Sequence, residues 1–215
     1  MTTPTARTGL WGARLIQFDS LPSTQQWLLD RVQDCHDGDV VRAVQQTGGR
    51  GRFRRPWMTP GSTCLTFSVL LRHSTTGPQM DPIAGLAAAL AVRAALERHA
   101  VPARLKWPND VLVRDRKIAG ILAEKRDDSL VLGIGLNVNL TEADLADIQL
   151  LQPATSMRME ANREFDPDLV FAHLLEELDA ALTSLRKKGI GPVLASWRLY
   201  DALAGKGVAV KTPDA

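Results

Sequence analysis

The chain reads as an α+β domain: a mixed, antiparallel-leaning sheet covered on one face by helices. Three observations predict it. Apolar or alternating runs of strand length recur between residues 14 and 139. Two helical patterns, 82–100 and 166–188, are far longer than any of these runs. The strands come in hairpin-like runs with the long helices inserted between them, which is the pattern of segregated α and β elements.

In order, residues 1–13 read as a flexible lead-in, too short for a helix-turn-helix module. Arg14–Asp19 alternates and predicts a strand, which Leu21-Pro22 turns. Ser23 is placed to cap a helix, with Gln26 at the reciprocal capping-box position. Trp27, Leu28 and Val32 supply the apolar face of that helix. Asp39–Gln46 is the next strand, and Thr63–Leu71 a mostly buried one. Pro82–Ala100 is an alanine-rich helix whose small side chains allow close packing on the sheet. Arg104–Asp110 is a strand ended by Pro108, which restricts Trp107 and shapes the turn at Asn109 and Asp110. Val111–Val113 and Lys117–Glu124 form a hairpin, and Leu130–Asn139 is a further strand. Residues 153–157 read as loop. Asp166–Lys188 is an amphipathic helix capped by Asp166, with Lys187 and Lys188 at its end and Gly189 stopping it. Pro192–Tyr200 is a short helix, and Gly207–Lys211 reads as one more strand.

Composition narrows the function classes. A chain of 215 residues with 45% hydrophobic and 23% charged residues can build a large core. A net charge of +2 gives little reason to expect a nucleic-acid binder. The two cysteines, Cys35 and Cys64, have neither zinc nor redox spacing, so a reducing cytoplasm is expected. No apolar run approaches a membrane span, and no signal peptide is apparent.

Positive charge is instead local. Residues 45–57, QQTGGRGRFRRPW, carry Arg50, Arg52, Arg54 and Arg55 among Gly48, Gly49 and Gly51, and end at Trp57. Glycine lets the backbone turn tightly and approach a ligand, and arginine matches phosphate or carboxylate. By itself the stretch fits a mobile cationic lid over an anionic ligand, a solvated basic turn, or a nucleic-acid patch. P-loop, GxSxG, HExxH and CxxC patterns are missing, and Gly133-x-Gly135 lacks the third glycine of a dinucleotide fingerprint. The four histidines are scattered and read as surface or helix-packing residues.

What remains is a cationic, amide-rich set: Arg50, Arg52, Arg55, Lys106 and Lys117, with Gln45, Asn109 and Asn137. Such a set suits a reaction between two anions, such as a carboxylate attacking a phosphate of ATP. Two like charges about 4 Å apart repel by about 4 kcal/mol at an effective dielectric near 20, and fixed cations offset that.

Five segments together carry a resemblance: STQQ (23–26), GRGRFRRPW (49–57), KWPND (106–110), KIAGIL (117–122) and GIGLNVN (133–139). In this order and spacing they resemble the biotin–protein ligases over roughly residues 14–205. The resemblance implies a class II aminoacyl-tRNA-synthetase-like catalytic domain that joins biotin and ATP, with Mg²⁺, into biotinyl-5′-AMP. Biotin then passes to a lysine of a biotin carboxyl carrier protein. It also implies roles. Ser23, Thr24 and Gln45 would contact the biotin head group. Gly49, Arg50, Gly51 and Arg52 would form the loop that orders over the adenylate, with Trp57 covering it. Lys117 would be the main electrostatic catalyst, assisted by Arg50 and Arg52. Asn109 and Asn137 would serve the nucleotide, and Gly120, Gly133 and Gly135 would border the pocket. Lys106 is read either as a ligand contact or as an ion pair holding its turn, and Asp110 is given an indirect metal role. Arg54 stands where the family usually has glycine. Residues 206–215 would begin the family's small C-terminal β domain, missing beyond its first strand. Without an N-terminal winged-helix domain, operon repression and DNA binding are not expected; a homodimer through sheet edges is compatible. A lipoate or octanoate ligase of the same fold is the nearest alternative, and the GRGRxxRxW and KWPND pair favours biotin. A non-catalytic nucleic-acid module is the alternative from another class.

Overall fold

A computed structural model describes residues 3–7, 10–11, 13–72, 81–146 and 152–209. Among the described residues eight strands form one sheet: β1 Thr3–Arg7, β2 Arg14–Leu21, β3 Val40–Gln46, β4 Cys64–Arg72, β5 Arg104–Lys106, β6 Asp110–Val113, β7 Arg116–Arg126 and β8 Ser129–Asn137. Their spatial order is β1-β2-β3-β4-β8-β7-β6-β5. Among the described strands only β2 and β3 pair in parallel. The mixed sheet is as expected. Its first strand is not: Thr3–Arg7 lies within the stretch read as a flexible lead-in, and its sequence, TPTAR, has no apolar alternation to announce it.

The helices are α1 Thr24–Leu29, α2 Asp81–Arg98, α3 Glu142–Ala146, α4 Met157–Ala161, α5 Pro167–Lys188 and α6 Ile190–Tyr200. The alternation of β4 decides where the core lies. Leu65, Phe67, Val69 and Leu71 face one way, joining Leu130, Leu132, Ile134 and Leu136 of β8. Onto them pack the buried alanines of α2 and Val170, Phe171, Leu174, Leu178 and Leu182 of α5. Phe67 and Phe171 meet edge to face at 5.2 Å. Among the described residues, α1 covers one end of the opposite face. There Leu28 and Leu29 of α1, with Val32, pack on Val41, Leu70 and Val131. Much of the rest of that face is polar or glycine, with Leu122 among the apolar exceptions, and the cavity lies over it.

Caps follow the sequence in part. Ser23 accepts from the Gln26 N–H and Asp166 from the Asp168 N–H, and Gly189 ends α5 in the left-handed region at φ 71°. The reciprocal half of the first capping box does not form: the Gln26 side chain donates to Asp30 and accepts from Arg50 instead. Residues 153–157, read as loop, lead into α4, capped by Ser156. Of the strand expected at Gly207–Lys211, residues 207–209 carry no strand, and 210–211 lie outside the described residues. No helix among the described residues is long and apolar enough to cross a membrane.

Candidate active site

A cavity of about 670 Å³ opens on the face left bare by α2 and α5. Its floor is the middle of β7 and β8, where Gly120 and Gly135 are cross-strand partners. A Cβ at Gly135 would meet the Trp57 indole at 2.4 Å, and one at Gly120 would lie 3.2 Å from the same ring. The two glycines therefore make a side-chain-free patch on which Trp57 lies. The Trp57 Nε1 is buried and has no acceptor among the described residues.

One end of the cavity is an uncharged hydrogen-bonding cluster. The N–H of Thr24 donates to Gln46 Oε1 at 2.8 Å, and Thr24 Oγ1 lies 2.9 Å from Ser68 Oγ. Ser68 donates to Gln25 Oε1 at 3.2 Å, and Gln25 Nε2 donates to the Val131 carbonyl at 3.0 Å. Gly133 leaves the room for this: a Cβ there would stand 2.5 Å from Gln25 Oε1.

The other end is charged. Lys117 Nζ lies 2.6 Å from Asp110 Oδ1. Asp110 Oδ2 accepts from Gln152 Nε2 at 2.9 Å, and Gln152 Oε1 accepts from Lys106 Nζ at 3.4 Å. A β-bulge brings Lys117 here. In the β6–β7 ladder Asp110 pairs with Gly120, Val111 with Ala119 and Leu112 with Lys117, so Ile118 has no partner. Ile118 and Ala119 both enter the core, and Lys117 joins the face of Gly120 despite odd spacing.

The arginine loop spans the two ends. Trp57 N–H donates to Gly49 O at 2.9 Å and Gly51 N–H to Arg55 O at 2.7 Å. Arg50 donates to Gln26 Oε1 at 2.9 Å and pairs with Glu124 at 3.2 Å. Arg52 donates to Asn109 Oδ1 at 3.4 Å.

Most of the expected set is brought together. Ser23, Thr24, Arg50, Gly51, Arg52, Trp57, Lys106, Asn109, Asp110, Lys117, Gly120, Gly133, Gly135 and Asn137 all line the cavity. Gln45 does not. It is exposed, and its neighbour Gln46 lines the cavity instead. Beyond the last β3–β4 pair at Ala43, the backbone of Gln46 is held by the Thr59 hydroxyl on both its N–H and its carbonyl. Gly49 is also off the lining. A Cβ there would sit 2.6 Å from Trp57 O, so it serves the fold of the loop. Asn109 and Asn137 spend their amide N–H groups on the carbonyls of Ile121 and Thr155. Asp110 does not fit a direct magnesium ligand, because Lys117 and Gln152 engage its two oxygens. Among the described residues no group of three His, Cys, Asp or Glu could hold a metal.

Gln25, Gln46, Ser68, Glu124 and Gln152 are lining or bridging residues absent from the expected set. The Gln-Gln doublet signalled Gln46 without fixing which glutamine turns inward. Nothing local marks Gln152, which reaches the site from far along the chain. Cys64 lies beneath Asn137, and burial pushes its thiol up to about 12, which keeps it protonated and unreactive. His99 and His173 pair with each other at 3.1 Å between α2 and α5, as packing residues.

The profile of the biotin/lipoate A/B protein ligase family matches residues 16–140, more than half of the chain. The chain belongs to this family. It is 30% identical over 212 residues to the bifunctional ligase/repressor BirA of Bacillus subtilis, covering 96% of this chain and 65% of that protein. It is 36% identical over 182 residues to the biotin–[acetyl-CoA-carboxylase] ligase of Mycobacterium tuberculosis, covering 82% and 66%. The chain thus spans just under two thirds of the length of both relatives. The solved biotin protein ligase of Aquifex aeolicus, in complex with biotin and ATP, superposes with a TM-score of 0.76 at 29% identity, over 87% of this chain and 78% of that one.

Proposed function

We propose that this family member is an ATP-dependent biotin–protein ligase, with residues 14–205 as its catalytic domain. The observation that carries the reading is the two-ended cavity: neutral donors and acceptors at Thr24, Gln46 and Ser68, and a cationic end at Lys117. A ureido ring offers both donors and acceptors, and the first end can match them. A carboxylate at the other end meets Lys117 and the loop arginines. The Aquifex relative, solved with biotin and ATP, supports both substrates.

In the first step a carboxylate oxygen of biotin attacks the α-phosphorus of ATP. The bond to the bridging oxygen breaks, and pyrophosphate leaves. Lys117, Arg50 and Arg52 offset the repulsion of the two anions, about 4 kcal/mol per pair of unit charges at ~4 Å and a dielectric near 20, and stabilise charge at phosphorus. The carboxylate is already ionised, so no general base is needed. In the second step the amine of a carrier lysine attacks the acyl carbon, AMP leaves, and the amine loses a proton. The acceptor is a biotin carboxyl carrier protein, in keeping with the name of the Mycobacterium relative. Magnesium enters as the companion of ATP. The reading includes a cytoplasmic setting and is compatible with either a monomer or a homodimer through a sheet edge, β1 and β5 standing at the two ends of the strand order. It takes DNA to be no partner, on the net charge of +2.

Incubation with biotin, MgATP and a carrier domain, read by intact mass, tests the reading. The carrier should gain one biotin on a lysine, and lipoate should not substitute. Lys117→Ala should lower biotin-dependent pyrophosphate release by about a hundredfold or more, the scale for losing one preorganised donor to a developing charge. Release at the unaltered rate would remove Lys117 from the mechanism.

A further inference from the structure

Both ends of the Gln152 amide are used inside the cavity. Its Nε2 donates to Asp110 Oδ2 at 2.9 Å, while Asp110 Oδ1 faces Lys117 Nζ at 2.6 Å. Its Oε1 accepts from Lys106 Nζ at 3.4 Å. The residues that follow hold the backbone of the same lysine. Lys117 N–H donates to Pro153 O at 2.8 Å, and Thr155 N–H donates to Lys117 O at 2.9 Å. Thr155 is fixed in turn, donating from Oγ1 to the buried Glu160 and accepting at its carbonyl from Asn137. Pro153 keeps Gln152 out of helical backbone.

We propose that Gln152 is a positioning residue for Lys117 and acts through Asp110; this rests on the reading of Lys117 as the catalytic cation. The reasoning is electrostatic. Asp110 is the anion nearest Lys117, and an anionic substrate must share that lysine with it. A carboxylate free to rotate would follow the lysine toward the substrate and cancel part of its field. The Gln152 amide anchors the far oxygen, so Asp110 orients the ammonium and stays behind it. Lysine is a flexible point charge that gains most from such support.

The test uses Gln152→Ala and the near-isosteric Gln152→Glu, which keeps the acceptor for Lys106 but sets a like charge against Asp110. Biotin-dependent pyrophosphate release should fall in kcat by roughly ten- to a hundredfold, the scale of a misplaced catalytic group. The KM for biotin, set at the other end of the cavity, should stay within about twofold. In an Asp110→Asn background, Gln152→Ala should add little, because both changes break one relay. Unchanged kcat in Gln152→Glu, or effects that simply multiply with Asp110→Asn, overturns the relay. Lys117→Ala measured alongside separates the two levels. If it is inactive while both Gln152 variants are normal, only the positioning role fails. If it is fully active, the reading of the site fails with it.

Discussion

Phe53 and Arg54 both sit at φ 57°, in the left-handed region that side chains rarely adopt. The conformation costs about 1–2 kcal/mol per residue. It persists because the loop is tied on both sides, through Arg50 to Gln26 and Glu124 and through Arg52 to Asn109. The backbone thus gives a reason for the glycine that the family resemblance leads one to expect at Arg54. Glycine enters φ > 0 about as readily as φ < 0. Arg54→Gly should therefore favour the closed loop by about 1 kcal/mol and slow release of bound biotinyl-adenylate about fivefold. Chase with excess biotin, following the label left on the protein, measures this; release as fast as in the unaltered chain would mean that strain at Arg54 does not oppose closure. The loop's composition was plain in the sequence, and its strain was not, because φ is settled by long-range ties. The same limit explains the shift from Gln45 to Gln46. Two adjacent glutamines are equivalent in composition, and only the register against Thr59 decides which turns inward.

At the scale of elements, the floor was legible in the glycines of KIAGIL and GIGLNVN, but its construction was not. Strict period-two alternation would put Lys117 opposite Gly120. The bulge at Ile118 reverses that parity, and its apolar neighbours give no sign of it. Similarly, Gly120 and Gly135 lie in different motifs, and only pairing across β7 and β8 makes them one patch under Trp57. The patch has a sharp consequence. A methyl group at position 135 would stand 2.4 Å from the indole, and neither the strand nor the packed ring can yield cheaply. Gly135→Ala should displace Trp57 and weaken biotin binding about tenfold, within the 1–3 kcal/mol typical of overpacking. Once Trp57→Ala has removed the ring, Gly135→Ala should add little. Calorimetric titration of the four proteins completes the cycle, and equal losses in both backgrounds would place the cost elsewhere.

Over the whole molecule, the long helices and most strands were readable because their periods differ and their caps are explicit, as at Asp166 and Gly189. β1 escaped because Thr3–Arg7 has no apolar alternation, and Gln152 because it reaches the site only through tertiary folding. Stability has a similar long-range tie at Asp39. This buried carboxylate accepts from the backbone N–H groups of Arg14 and His36 and pairs with the Arg14 guanidinium, while its own carbonyl accepts from Leu70. One residue thereby joins β2, the turn before β3, and β4. Burial alone would raise its pKa, but the Arg14 side chain and the two backbone donors outweigh that and hold it below the ordinary 3.8. A depressed folded value means that Asp39 stabilises the native chain fully above 3.8 and ceases to do so as pH falls through the lowered value. Asp39→Asn should therefore cost about 1–3 kcal/mol at neutral pH, the range for a compromised buried hydrogen-bond partner. In dilute acid, where the unaltered carboxylate is itself protonated, the difference between the two proteins should shrink toward zero. Urea unfolding of both proteins at neutral and acid pH measures that difference, and an undiminished gap in acid would show that the charge of Asp39 is not what holds these strands together.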